Sequence, residues 1–119
     1  MAVQFITTQP KELIAAFDAR IHQPEQKGKV TTWKRLVFQG VTYYTHTAAQ
    51  WREKAFFAPA IEQGQLSFYI IKPASENVSL VVYGYYHGHL TETFLSHFDD
   101  MFTRAVSTAK AIVGDNVSS

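Results

Sequence analysis

The run from Val78 to Phe98, VSLVVYGYYHGHLTETFLSHF, carries most of the side chains in this sequence that could do chemistry: His87, His89 and His97, with Tyr83, Tyr85 and Tyr86. Imidazole changes charge near neutral pH and is a common metal ligand, and a phenol beside it supplies a hydrogen-bond donor. If the backbone runs extended through His87-Gly88-His89, both imidazoles project from one face and outline a metal pair. His97, Glu92 or His46 would have to supply the third ligand. The same alternation turns Glu92 away from His89, and a zinc site needs at least three convergent donors, so neither a metal nor another cofactor is expected. If Gly88 instead makes a turn, the two rings flank a hairpin tip. A second chemistry remains: a pocket in which Tyr83, Tyr85, His87, His89 and His46 bind or isomerise a small polar ligand.

Ser96, His97 and Asp99 or Asp100 have the residue types of a hydrolytic triad. They are neighbours in the chain, however, so their side chains diverge and form no proton relay by themselves. Ser96 with Asp99 three residues later reads as a helix cap with acids in the first turn. There is no G-x-S-x-G elbow, phosphate loop or dinucleotide fingerprint, and acids such as Glu12, Glu53, Glu62 and Glu76 are scattered over separate segments. The sequence therefore leans away from an enzyme.

Lys and Arg total 11 against 10 for Asp and Glu, so there is no large field of one sign to attract a polyanion or an anionic membrane. Lys27, Lys29, Lys34 and Arg35 surround Trp33, with Tyr43 and Tyr44 nearby, and such interleaving could stack bases. A lysine-protected edge strand with its tryptophan in the core explains the same residues, and nucleic acid is not expected. The absence of cysteine removes disulfides and thiolate chemistry and fits a reducing compartment. MAVQFITTQPKEL has neither the basic flank nor the apolar run of a secretory signal, and no segment reaches about 18 apolar residues, so a cytoplasmic location is expected.

Val3 to Ile6 is a short apolar lead. Thr8 or Gln9 then caps a helix that accepts Pro10 in its first turn, aligns Leu13, Ile14, Phe17 and Ile21, and stops before Pro24. Val30 to Phe38 and Val41 to His46 predict two strands joined by a tight turn at Gln39-Gly40. Thr47 to Gln50 matches a capping box, which predicts a short helix carrying Ala48, Trp51 and Ala55 and broken by Pro59. Gln65 to Lys72 alternates as a strand, and the tyrosine-rich segment from Val78 predicts another, with a fifth strand after a turn at Gly88. Phe98, Met101, Phe102, Ala105, Ala109 and Ile112 form a stripe that predicts a final helix ending near Gly114, with a frayed tail over residues 115–119.

The expected architecture is a single α+β domain over residues 1–119. Its five-stranded antiparallel sheet carries N- and C-terminal helices, in the order α-β-β-α-β-β-β-α. That order resembles profilin-like and roadblock-type domains, which implies one sheet with the terminal helices on a face and assigns no functional residue. The strand from Val78 is apolar on both faces, which predicts a companion surface on the side the helices leave bare. Large rings are also in surplus. The expected function is a non-enzymatic interaction module that uses an aromatic sheet face or edge to contact itself, as a homodimer, or another protein. Trp33 and Tyr44 join the five pocket residues as candidate contacts.

Overall fold

A computed structural model describes residues 1–118. The chain runs β1 (Ala2–Ile6), α1 (Pro10–His22), β2 (Trp33–Phe38), β3 (Val41–His46), β4 (Phe56–Glu62), β5 (Gln65–Ile71), α2 (Leu80–Phe98) and β6 (Arg104–Ser107). It is an α+β protein with one antiparallel sheet, and the sheet has six strands rather than the five expected, in the order β2-β3-β4-β5-β1-β6.

The first half follows its local signals. Pro10 opens α1, which ends at His22 before Pro24 and buries Leu13 and Phe17. Gln39 and Gly40 both take positive φ, 51° and 78°, as a two-residue hairpin of matching twist requires.

The second half departs from expectation in three places. The segment after His46 is a run of turns, not a helix, and Pro59 lies within strand β4. Its ladder with β3 is carried by Tyr44↔Phe57 alone, and the next bonded position along that edge falls on Pro59, which has no amide to donate. The tyrosine-rich segment is helix, not a pair of strands, so His87-Gly88 is neither a turn nor strand interior. Ser79 caps it by accepting from the Val82 amide at 3.1 Å, and Tyr83, Tyr86, Leu90, Phe94 and Phe98 recur at helical spacing on the buried face. The expected last helix is absent: Asp99 ends α2, and Arg104–Ser107 pairs with β1. Acidic residues oppose the negative end of the helix dipole, which favours a stop at Asp99-Asp100. The likeness in element order to profilin-like and roadblock-type domains lapses with these changes.

The tail is not frayed as far as the structure describes it. The amides of Ile70 and Ile112 both donate to the Asp115 carboxylate, each at 2.9 Å, and Asn116 exchanges backbone bonds with Ile70 and Lys72. Ser119, the last residue of the expected frayed segment, lies outside the described residues.

Both helices pack on one face of the sheet. Phe94 of α2 stacks on Phe5 at 4.2 Å, meets Phe17 of α1 at 4.9 Å and Phe68 of β5 at 5.6 Å, so one ring cluster joins both helices to the central strands. Among the described residues no helix covers the other face.

Candidate functional site

Helix α2 sorts its histidines and tyrosines by angle. Positions two apart on a helix point roughly 200° from one another, so His87 and His89 face opposite ways and cannot share a ligand. Positions four apart stack, and two ring pairs result: Tyr83 on His87 at 4.8 Å and Tyr85 on His89 at 4.1 Å. Only the second pair meets His46, at the end of β3.

There the Ala48 amide donates to His46 Nδ1 at 3.0 Å, so the ring's own proton sits on Nε2, which donates to His89 Nδ1 at 3.3 Å. His46 is 2 % exposed. Burial, then the neighbouring His89, hold its pKa below the usual histidine value. Trp51, from the turns after β3, stacks on Tyr85 at 4.0 Å and closes the cluster outward. The stack Trp51–Tyr85–His89 with His46 against its side is thus a set of rings in mutual contact, with no gap between them for a ligand.

The other candidates disperse. Tyr83 donates to the Thr108 carbonyl at 2.8 Å, and burial raises its pKa. Trp33 stays in contact with the cluster from the core side, its ring edge-on to His46 at 5.3 Å and its indole donating to Thr93 Oγ1 at 3.1 Å. Tyr44 is also core, its hydroxyl donating to Asp18; burial first, and that carboxylate second, push its pKa far up. His97 lies near the far end of α2, tilted against Phe98. Among the described residues no three His, Asp or Glu side chains gather closely enough to hold a metal ion. Ser96 lies inside α2 rather than at a cap, and Asp99 terminates that helix.

Sequence reasoning missed the parts played by Trp51, Thr93 and the Ala48 amide. The spacing Tyr85-x-x-x-His89-x-x-x-Thr93 was the available signal, and it reads only once the segment is taken as a helix.

A second candidate surface lies on the helix-free face. Strand alternation sends Leu36, Phe38, Val41, Tyr43, Phe56 and Ile71 to that side. Phe38 is 65 % exposed, and Tyr43 meets Phe56 edge-on at 6.1 Å. With Glu53, Lys72 and Pro73 at the margin, all of these except Val41 line a concavity of about 520 Å³. The same face turns polar toward β1, where Glu62 accepts from Ser67, from Tyr69 at 2.7 Å and from Gln65 at 2.7 Å. These bonds hold the Glu62 carboxyl below the usual carboxylate range, with Ser67 contributing most.

No protein-family model, curated protein or solved structure matches the chain. Among the described residues no helix is long and apolar enough to cross a membrane.

Proposed function

We propose that the protein is a non-enzymatic interaction module and that its working surface is the apolar half of the helix-free sheet face. The occupant is an apolar segment of another protein. The reading rests on the concavity bordered by Leu36, Phe38, Tyr43, Phe56 and Ile71, a ring-rich centre with charged groups only at its margin. That is the composition of a protein-binding patch: aromatics where water is excluded, charge at the rim. The companion surface expected from the sequence loses its first premise, because the strand that prompted it is the helix α2, and the reading stands on the concavity alone.

The alternative, a small-ligand or enzymatic site, draws its support from the meeting of His46, Tyr85 and His89. It is the weaker reading, because Tyr83 and His87 lie on another side of the helix and the rings that do meet fill the space between them.

Phe38→Ser combined with Val41→Ser separates the two. Both side chains are largely exposed, so the unfolding free energy should move by no more than about 0.5 kcal/mol per site. A partner retained by the wild-type protein in affinity capture is expected to be lost by the double variant and kept by His89→Ala. The opposite pattern would transfer the function to the histidine cluster.

A further inference from the structure

The sheet has two free edges, and they are not equally protected. β6 is four residues long, begins with Arg104, and lies beside a wall of α2 in which His87, Thr91 and Leu95 border a groove with Ala105 and Ser107. Shortness, charge and a covering element are the usual defences of an edge strand. β2, at the other end, is six residues long, WKRLVF, with neither proline nor bulge; its two cations are met by carboxylates of their own chain, Lys34 by Glu53 at 3.3 Å and Arg35 by Asp18 at 3.6 Å, and Val37 and Phe38 are 59 % and 65 % exposed.

The hairpin register says which backbone groups β2 leaves open. Thr47 donates to the Thr32 carbonyl at 3.0 Å, so even-numbered positions of this strand bond inward to β3. By alternation the amides and carbonyls of Trp33, Arg35 and Val37 point outward, where among the described residues no further strand lies.

We infer that β2 pairs antiparallel with β2 of a second copy of this chain, in a register centred on Leu36 opposite Leu36. Pairing must match like faces, which allows a centre on Arg35, Leu36 or Val37. A centre on Arg35 sets two guanidinium groups directly against each other. A centre on Val37 drives the ladder into Gln39, whose φ of 51° is not extended. A centre on Leu36 uses the whole run from Lys34 to Phe38. Arg35 and Val37 of each copy then exchange their outward backbone bonds with Val37 and Arg35 of the other, and each Lys34 lies against a Phe38 ring of the second copy. The charge pattern of the strand thus selects the register.

This goes beyond the proposed binding face. Edge pairing leaves that face open and sets the two apolar concavities side by side on one continuous sheet.

The chain has no cysteine, so single cysteines report the register without further engineering. In the Leu36-centred ladder the two Leu36 residues form a non-bonded pair with Cα atoms about 4.5 Å apart, within disulfide reach. Leu36→Cys is expected to cross-link to a covalent dimer under mild oxidation, well ahead of Arg35→Cys. The wild-type protein should sediment as a dimer at micromolar concentration. Val37→Pro removes only an outward amide and should sediment as a monomer with unchanged circular dichroism. A monomeric wild type, a Val37→Pro dimer, or faster cross-linking through Arg35→Cys would each overturn the inference. If Val37→Pro disturbs folding, the two cysteine variants decide alone. The side chain of Val37 lies on the helix side, so none of these failures touches the proposed binding face.

Discussion

His46 shows how one backbone bond can set the state of a pair of rings. With its Nε2 proton already donated to His89, the ring can gain a second proton only at Nδ1, and only by giving up the bond from the Ala48 amide. The folded pKa lies below the unfolded value, so the unfolded chain takes up the proton first as pH falls. Stability from this group is therefore complete above about pH 6.5 and is lost as pH drops through that value toward the native pKa. Thermal midpoints should fall on acidification, and His46→Gln should flatten that slope; equal slopes in the two proteins would remove the effect. The titratable groups facing His46 are His89, Tyr85 and Tyr86, all from α2, and the Trp33 ring of β2 packs edge-on against it at 5.3 Å. Thr93 makes a second residue-scale test. It receives the buried Trp33 indole proton, and Thr93→Val keeps the shape while orphaning that donor, at an expected cost of about 1–3 kcal/mol in urea unfolding.

Among the elements, α2 is the one held by its surroundings more than by its own preferences. Val81, Val82, three tyrosines and two glycines are poor helix formers, and the valines and tyrosines among them favour strands. Read at period two, the segment offers Tyr83, Tyr85 and His87 on one face; read at period 3.6, it offers Tyr83, Tyr86, Leu90, Phe94 and Phe98. The second set is the one that fills the space over β1 and β5, and burial of those rings outweighs propensity. Gly84 and Gly88 lie on the outer side, where an added Cβ meets nothing within 4 Å. Gly84→Ala and Gly88→Ala should each stabilise the protein by about 0.5–1 kcal/mol, read as a raised thermal midpoint. A loss of stability in either would mean that the outer face of α2 is occupied.

At the scale of the molecule, one ring cluster and one carboxylate tie distant parts of the chain together. Phe94 touches rings from β1, α1 and β5, so Phe94→Ala should cost about 3–5 kcal/mol and loosen both helices at once. Asp115 accepts the amides of Ile70 and Ile112 and pairs with the Met1 ammonium at 2.8 Å, clasping the end of β5 to both ends of the described chain. Asp115→Ala leaves those amides without their acceptor. Faster hydrogen exchange at Ile70, with exchange in the β2–β3 hairpin unchanged, is the expected sign.

What the sequence determined alone is what short-range stereochemistry decides. Pro10 and Pro24 bracket α1, and Gln39-Gly40 supplies the positive φ of the first hairpin. Leu66, Phe68 and Ile70 alternate so strictly that only a strand buries them together. What the tertiary structure decided is everything whose local signal pointed two ways. Thr47 to Gln50 reads as a cap, but Tyr44 and Phe68 needed β4 between their strands, and the pairing of Phe57 with Tyr44 and Ile70 carried Pro59 into the sheet. His89 met His46 rather than His87 because a helix turns about 100° per residue where a strand turns about 180°. Only the ring cluster of Phe5, Phe17 and Phe68 set which of those angles the chain would take.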